Sequence, residues 1–365
     1  MIPAARRFLC FGFSLFAATC AQAVPDVATR SVPSRPAAIK AVKLNGIEYL
    51  SATDAAIRLR LKGTWTMAGH KLTLADKETK VEWEADSREI MVDGLRIFLG
   101  DPIVARRGQF YISRTDFERG LVPLVRPALI VPLPPHPRTI ALDPGHGGKD
   151  AGMENKTLGL QEKVLVLDVA FRTKKILEAN GYRVVLTRSD DRQLGPDKKT
   201  DWRKRWEIAN AARADLFVSI HFNSLYPDTK TSGTEVFTFT RAGQRSDQSW
   251  GVNEINDTEQ ESVPINRFDA WSSLLAHAMH REVITHLTTF DRGQKTKHLG
   301  VLRGLGCPGV LVESVFLSNE REAKRAATPA YRQQIAGAIA NGVRAYSEAI
   351  AALEPSPAAA VGSPK

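Results

Sequence analysis

The sequence lacks long hydrophobic runs, which excludes a chain that crosses a membrane repeatedly. No stretch approaches the roughly 20 apolar residues of a spanning helix, and the apolar run at residues 8–18 is also too short. That run follows Arg6 and Arg7 and precedes Ala21-Gln22-Ala23, an order of charged, apolar and small residues that is typical of a secretory signal. We therefore predict a signal peptide at residues 1–23, export to the periplasm or the cell exterior, and no stable membrane anchor.

The sequence also has little cysteine, and this limits how the fold can be stabilised. Only three of the 365 residues are cysteine, and two of them, Cys10 and Cys20, lie within the predicted signal. Thr19 precedes Cys20 where a lipoprotein signal would have a smaller residue, which argues against lipidation. Cys307 is then the single thiol left, so no disulfide can form within the chain, and packing must provide the stability.

Acidic residues are fewer than basic ones, and this charge balance indicates which kinds of partner the protein can bind. The chain has 40 of them against 50 Lys and Arg, for a formal net charge of +10, which loss of Arg6 and Arg7 would lower by two. Because the chain is predicted to be exported and shows no nucleic-acid motif, we expect no nucleic-acid partner and favour an anionic extracellular polymer. One basic cluster is interpreted as a solvated helix face, and it comprises Lys198, Lys199, Arg203, Lys204 and Arg205.

Short strand-like segments dominate residues 38–125 and predict a small β-rich α+β domain. Residues 46–54 recur as residues 108–116, and each copy has the pattern of a strand followed by a helix cap. The pattern resembles the N-terminal stalk domain of copper amine oxidases, which also precedes some wall hydrolases. The resemblance implies no copper site, because His70 has no Cys or His neighbours at ligand spacing. The domain either targets the protein to the wall or only spaces the enzyme from it.

Prolines then separate this region from a second one. Residues 126–137 contain five prolines and predict an extended linker. From residue 138 to 353, apolar runs of strand length alternate with amphipathic helices, which predicts an α/β domain with an open, mostly parallel twisted sheet and helices on both faces. The predicted strands include residues 139–142, 184–186, 216–220 and 310–312, a last helix spans 331–353, and residues 354–365 are predicted to be a disordered tail.

Three of the predicted strands lead into a side chain that can bind a metal or move a proton. The first runs into a glycine-rich loop with His146, the third is followed by His221, and the last by Glu313. Ligands of open α/β sheets gather outside the carboxyl ends of the strands, so we expect these side chains to converge. Glu162, at the start of the helix after the first strand, can point its carboxylate into the same group.

Two imidazoles and one carboxylate make a zinc site of the catalytic kind. Three protein ligands leave one position open for water, whereas structural zinc has four. Bound zinc makes water acidic enough to supply hydroxide near neutral pH and polarises a carbonyl. A further carboxylate has to carry the proton from that water to the departing amine, and Glu313 is the residue we predict for this role.

Five sequence blocks resemble those of the zinc-dependent N-acetylmuramoyl-L-alanine amidases of the amidase type 3 family. They are Asp-Pro-Gly-His-Gly-Gly (143–148), Gln-Glu-Lys (161–163), Leu-Thr-Arg (186–188), Ser-Ile-His-Phe-Asn (219–223) and Val-Glu-Ser-Val-Phe-Leu-Ser-Asn (312–319). The resemblance covers residues 138–353. It implies that zinc-activated water hydrolyses the amide between the lactyl group of N-acetylmuramic acid and L-alanine in peptidoglycan.

The resemblance also implies the roles of individual residues. By position, His146, Glu162 and His221 would bind zinc, and Glu313 would be catalytic. A further match at residues 301–303 implies that Arg303 helps to position the catalytic carboxylate or the substrate. Val315 departs from the pattern, because the family usually has glycine there, and this predicts a more restricted loop after Glu313.

Residues 240–269 form a long segment with little periodicity and many polar side chains. Loops of this length are usually functional or disordered. In related amidases an insertion can block the zinc until an activator protein displaces it. A lid or substrate wall served by an activator is therefore one interpretation, and a passive surface loop is the other.

Several other interpretations stay open. Asp143 and Asn223 either stabilise turns or orient a histidine ligand. Arg188 and Asp191 are expected to form an ion pair that fixes a loop, although a substrate contact is the alternative. At the level of function, the same ligands would serve another zinc peptidase acting on wall peptides, and a structural metal would suit a non-catalytic peptidoglycan-binding regulator.

Overall fold

The computed structural model describes residues 40–246 and 261–354 of the chain. The predicted signal at residues 1–23 and the predicted tail after residue 354 lie outside the described residues, as do residues 247–260 of the long polar segment. Within the described ranges, the longest helices carry too many polar side chains to cross a membrane.

The N-terminal part of the described chain is built mainly from short strands. Its elements are β1 (Val42–Leu44), β2 (Ile47–Ser51), α1 (Ala52–Leu59), β3 (Lys62–Met67), β4 (Lys71–Ala75), β5 (Lys80–Glu84), β6 (Glu89–Val92), β7 (Leu95–Phe98), β8 (Val104–Arg106), β9 (Gln109–Ser113), α2 (Arg114–Asp116), a π-helical turn (Phe117–Leu121) and α3 (Val122–Val125). Their apolar side chains form a hydrophobic core that includes Trp83 and Phe110, both 1% exposed.

The two copies of the internal repeat have the same local structure. The Ser51 side chain accepts a hydrogen bond from the amide of Asp54 at the start of α1, and the Ser113 side chain accepts one from Asp116 at the start of α2. Each cap satisfies an amide that has no partner within its helix. The strands of the two copies, β2 and β9, pair antiparallel in a sheet of order β1-β2-β9-β8.

The rest of the chain alternates strands and helices. After a 3₁₀ turn (Pro127–Leu129) come β10 (Thr139–Pro144), β11 (Glu154–Asn155), β12 (Leu160–Gln161), α4 (Glu162–Ala179), β13 (Arg183–Leu186), α5 (Lys198–Ala211), β14 (Leu216–Asn223), β15 (Thr234–Phe239), a second 3₁₀ turn (Pro264–Phe268), α6 (Asp269–Leu287), β16 (Asp291–Lys297), α7 (Gly300–Arg303), β17 (Gly309–Phe316), α8 (Glu320–Ala327) and α9 (Pro329–Ala351). This alternation is that of the predicted α/β fold.

The main sheet is larger and more mixed than the sequence predicts. It has the order β13-β10-β14-β17-β15-β16-β7-β6-β5-β4-β3. Strands β13, β10, β14 and β17 are parallel, but β15 runs antiparallel to β17, and β3 to β7 form an antiparallel meander. Strand β7 pairs with β16, so the sheet continues from one predicted domain into the other. This pairing covers backbone groups of β16 that would otherwise form an open edge.

Helices cover both faces of the α/β part of this sheet, as predicted. Side chains alternate along each strand, so Ile140 and Leu142 of β10 face one core with α4, α6 and α9, while Ala141 faces another core with α5 and α7. Burial on both faces explains why these strands are continuously apolar.

The proline-rich segment at residues 126–137 packs against the fold over part of its length. It contains the 3₁₀ turn at Pro127–Leu129, and the side chains of Ile130 and Leu133 pack against the core of the α/β part. Prolines stiffen the chain but do not prevent apolar side chains between them from being buried. The segment is therefore part of the packed structure.

Candidate active site

Three neighbouring strands place their chemical side chains at one edge of the sheet. His221 of β14 lies directly opposite Glu313 of the parallel strand β17. His146 follows the end of β10, the strand on the other side of β14, and has a left-handed backbone with φ 60°. Such a conformation is costly for a residue other than glycine and persists only where the surroundings impose it. The expected convergence at the carboxyl ends of the strands is thus present.

Two glycines make room for this group. A Cβ added at Gly145 would come within 2.2 Å of Cε1 of His221, and one at Gly152 would come within 2.5 Å of Oε2 of Glu162. Gly152 also has a φ of +66°, which a side chain rarely adopts. The loop between β10 and α4 can therefore lie directly against the histidine and the carboxylate only because these positions lack side chains.

His146, Glu162 and His221 form a group that can hold a metal ion. Their nearest ligand atoms all lie within 4.8 Å of one another. Oε1 of Glu162 is 3.1 Å from Nε2 of His146 and 3.0 Å from Nδ1 of His221. Bonds of 2.0–2.1 Å to a tetrahedral ion put its ligand atoms about 3.3 Å apart, and these two distances are close to that value.

Two of the three side chains, those of Glu162 and His146, make further contacts. Oε2 of Glu162 accepts a hydrogen bond from the amide of Met153, and Oε1 accepts one from the amide of Phe222. Nδ1 of His146 lies 3.0 Å from Oδ2 of Asp150. A carboxylate beside the second ring nitrogen is the usual means of orienting a histidine ligand and raising its basicity.

The electrostatics of the group follow from its burial and close pairing. Burial by itself raises the pKa of Glu162, but the hydrogen bonds and charges of the two histidines outweigh it and hold that pKa far below its usual range. Burial lowers the pKa of His146, yet Glu162 and then Asp150 raise it above normal. Burial lowers the pKa of His221, and Glu162 offsets this only in part. A carboxylate and neutral imidazoles are the forms that bind metal.

Glu313 differs from Glu162, because its pKa is raised well above its usual range. Burial is the largest cause, repulsion from the carboxylates of Glu162 and Glu235 adds to it, and Lys297 opposes it. Within the described chain, Oε2 of Glu313 is buried without a hydrogen-bond partner. A buried carboxyl group with a raised pKa holds a proton more readily than an ordinary glutamate, which suits a residue that transfers protons.

A buried ion-pair network supports the loop that carries His146. Arg205 is 2% exposed at its side chain and lies 2.8 Å from Oδ1 of Asp143 and 2.6 Å from Oδ2 of Asp201. Its guanidinium also donates to the carbonyls of Pro144 and His146. Asp143 is therefore linked to the backbone carbonyl of His146 through the guanidinium of Arg205. The basic cluster was predicted to be a solvated helix face. This prediction is wrong for Arg205, whose side chain is buried beneath α5.

Arg188 has a similar role and does not form the expected pair with Asp191. It donates to the carbonyls of Pro144, Gly145 and Lys163, and burial together with the nearby Arg205 lowers its pKa to about 10. Asp191 instead pairs with Lys163 at 2.8 Å. Both arginines thus satisfy backbone carbonyls of the glycine-rich loop that would otherwise be buried without partners.

The side chains line a cavity of about 440 Å³. Its lining includes His146, Glu162, His221 and Glu313, together with the segment from Lys297 to Val301 before and within α7. Asn223 also lines the cavity, and its side chain donates to Glu235, which is paired with Lys295 at 2.8 Å. A cavity of this size accommodates part of a polymeric substrate.

Other predicted residues are not brought to this cavity. Arg303 is exposed at the end of α7 and does not line it. Val315 is the second-to-last residue of β17 and its side chain lies in the hydrophobic core, so the prediction of a restricted loop is wrong at this position. Two histidines outside this group, His277 and His280, are buried on α6, where His277 contacts Arg281 and His280 contacts Asp291.

Sequence reasoning missed three residues that shape the site. Asp150 and Glu235 are isolated acidic residues in the sequence, and only the folded chain places them beside His146 and Asn223. The sequence contains one indication of the role of Arg205, because Asp201 lies four residues before it on the same helix. That spacing indicates an ion pair on a helix but not that the pair is buried.

The family model described as N-acetylmuramoyl-L-alanine amidase matches residues 140–345. A cell wall amidase of Bacillus anthracis is 34% identical over 212 residues, which cover 58% of this chain and 36% of that protein. The probable N-acetylmuramoyl-L-alanine amidase AmiB of Haemophilus influenzae is 32% identical over 231 residues, 58% of this chain and 52% of that protein.

A germination-specific N-acetylmuramoyl-L-alanine amidase of Bacillus subtilis is 31% identical over 223 residues, which cover 59% of this chain and 81% of that protein. The chain spans about a third to a half of the length of the relatives from B. anthracis and H. influenzae. The matched region contains every residue placed around the cavity above.

Proposed function

This chain belongs to the N-acetylmuramoyl-L-alanine amidase family, and we propose that it hydrolyses the amide between the lactyl group of N-acetylmuramic acid and L-alanine in peptidoglycan. The observation that supports this most strongly is the position of Glu313. A carboxylate with a raised pKa lies beside a group of two histidines and one glutamate that can bind a metal. Hydrolysis of an unactivated amide needs both a means of activating water and a group that protonates the departing nitrogen.

We propose zinc as the metal, held by Nε2 of His146, Nδ1 of His221 and Oε1 of Glu162. Two nitrogen donors and one oxygen donor are a ligand set typical of catalytic zinc, and their spacing fits its tetrahedral geometry. When bound, zinc supplies Lewis-acid chemistry that polarises a carbonyl and makes water a stronger acid. Asp150 keeps the ring of His146 in the orientation that binding requires.

Glu313 then carries the proton. As water adds to the lactyl carbonyl carbon, Glu313 accepts a proton from it. The protonated carboxyl group next donates this proton to the L-alanine nitrogen while the carbon–nitrogen bond breaks. The products are a lactyl carboxylate and a free amino group. Burial of Glu313 favours its neutral form, so it can hold the proton between the two transfers.

Digestion of purified sacculi tests this function. Mass spectrometry of the soluble products should find intact stem peptides with a free L-alanine amino group. EDTA should abolish their release and added zinc should restore it. Stem peptides shortened at an internal peptide bond would instead identify a zinc peptidase. Binding to sacculi without soluble products, in the presence of zinc, would indicate a non-catalytic peptidoglycan-binding regulator.

The proposed site of action is the periplasm or the cell exterior, where peptidoglycan is found. This rests on the predicted signal at residues 1–23, which lies outside the described residues. Fractionation of cells that express the full chain, followed by intact-mass measurement, should find the protein outside the cytoplasm and shortened by its first 23 residues. Retention of the intact chain in the cytoplasm would refute export.

The role of the long polar segment can be tested separately, because the structure describes both of its ends. Asn266 donates a hydrogen bond to the carbonyl of Thr240, and Arg241 donates one to Ser273, so the base of the segment is tied to the fold. Deletion of residues 247–260 should leave these contacts intact. If the segment is a lid that an activator opens, this deletion should raise basal turnover, whereas a passive loop predicts no change.

A further inference from the structure

A second cavity, of about 410 Å³, lies next to the one that holds the candidate metal group. It is lined by Lys199, Trp202, Arg203 and Trp206 of α5 and by Gly300 and Arg303 of α7. Trp202 and Gly300 line both cavities, so the two are neighbours that share a wall. A polymer bound at the metal group can extend directly into this groove.

Two tryptophans dominate the groove. Trp202 and Trp206 are four residues apart on α5 and therefore lie on the same face of the helix. Trp202 keeps 41% of its surface exposed, which is unusual for so large an apolar side chain. Two indole rings on one helix face, of which Trp202 also lines the cavity of the candidate metal group, are a surface suited to a flat ligand with apolar faces.

The two rings pack against Gly300, the first residue of α7, and Gly304, which directly follows its last residue. A Cβ at Gly300 would come within 2.3 Å of Cε3 of Trp202, and one at Gly304 would come within 2.4 Å of Cε2 of Trp206. Both indoles thus lie against the backbone of α7 where no side chain intervenes. Their positions are fixed before any ligand arrives, which lowers the entropy lost on binding.

The charge around the rings is mainly positive. Lys199 is exposed, and Arg203 is 53% exposed at its side chain and lies 3.7 Å from Glu207. Arg303, which the family resemblance implies to position the catalytic carboxylate or the substrate, also lines this groove. A basic rim favours the approach of a polymer that carries carboxylates, as the stem peptides of peptidoglycan do.

We propose that Trp202 and Trp206 form a subsite for the glycan strand of the substrate, on which an N-acetylhexosamine ring stacks. The C–H bonds on the face of a pyranose ring carry partial positive charge, and the face of an indole is negative, so the two faces attract each other. This inference rests on the proposed amidase function for the identity of the polymer. The subsite selects longer glycan strands over isolated muropeptides.

Binding of a β-1,4-linked N-acetylglucosamine tetramer to the zinc-loaded protein tests the subsite without any hydrolysis. Calorimetry should show binding to wild type that Trp202→Ala and Trp202→Leu each weaken by about tenfold, and that Trp202→Phe largely retains. Leucine keeps apolar packing against α7 but has no aromatic face. Phe171→Ala removes a similarly exposed aromatic ring, 42% exposed on α4, and should leave binding unchanged. Equal binding by wild type and Trp202→Leu would overturn the proposal.

Kinetics provide the second readout. On soluble peptidoglycan with long glycan strands, Trp202→Leu should raise KM about tenfold and leave kcat nearly unchanged. On N-acetylmuramoyl-peptide, which has a single sugar, the rise in KM should be clearly smaller than on long strands. An equal loss on both substrates would show a structural role and overturn the subsite. The tetramer could still bind through Trp202 when neither substrate is cleaved. That result would show that the proposed amidase function is wrong and would support the sugar subsite.

Discussion

Gly145 lies directly against the imidazole of His221, and a Cβ at position 145 would come within 2.2 Å of the ring atom Cε1. The ring cannot stay where it is if residue 145 has a side chain. Since His221 is one of three proposed metal ligands, the absence of a single methyl group from the β10–α4 loop decides whether the ligand set can form.

Gly145→Ala should therefore weaken metal binding by at least about tenfold, as displaced or badly oriented ligands do. Competition with a chromophoric zinc chelator measures this directly. Gly337→Ala is the matched control, because a Cβ at this position of α9 meets no atom within 4 Å. The control should bind zinc normally and be slightly stabilised. Unchanged affinity in Gly145→Ala would mean that His221 is not a ligand.

Glu313→Gln should keep the fold and the metal but lose turnover by about 10²–10⁴-fold, because the amide cannot accept the proton from water. Sacculus digestion measures turnover, and zinc content per chain by mass spectrometry shows that the site is loaded. A normal rate in a zinc-loaded variant would remove Glu313 from the mechanism. A loss of zinc would show instead that Glu313 supports the ligand set.

Arg205→Met should destabilise the protein by about 3–5 kcal/mol, because it leaves the buried carboxylates of Asp143 and Asp201 without their cation. Urea unfolding monitored by circular dichroism measures the change. Lys204→Met, on the exposed face of the same helix, should change the free energy of unfolding by no more than about 0.5 kcal/mol. Similar effects of the two substitutions would contradict the buried network.

The stability of the chain should depend on pH through Asp101. Burial, followed by repulsion from Asp116, raises the pKa of Asp101 to about 6, against 3.8 for the free side chain. The folded state thus binds a proton more tightly than the unfolded state, so this group's contribution is favourable below about pH 4 and is lost as the pH rises to about 6. Above that pH the ionised group costs at most about 3 kcal/mol.

Asp101→Asn removes this titration. The variant should gain stability relative to wild type as the pH rises from about 4 to about 6, and the difference should then stay constant up to pH 8. Urea unfolding of both proteins at several pH values gives the difference directly. A difference that does not vary with pH would show that Asp101 has an ordinary pKa in the folded chain.

Much of the site could be predicted because its residues follow strands. His146, His221 and Glu313 come just after or at the ends of apolar runs, and parallel strands of an open sheet bring such ends together. Glu162 could be placed because a helix begins there. Arg303 could not be placed by the same reasoning, because the direction of a side chain on a four-residue helix depends on what that helix packs against.

The sequence by itself determined the elements and their chemistry: the alternation of strands and helices, the capped repeat near the N-terminus, and four residues with metal-binding or proton-transfer side chains. Local periodicity and residue type are sufficient for these, because they depend on neighbours in the chain. Only the tertiary structure decided that β7 extends the sheet at β16, that Arg205 is buried beneath His146, and that Trp202 lies between two cavities. Each of these depends on contacts between segments far apart in the sequence, and their geometry is set by packing rather than by local pattern.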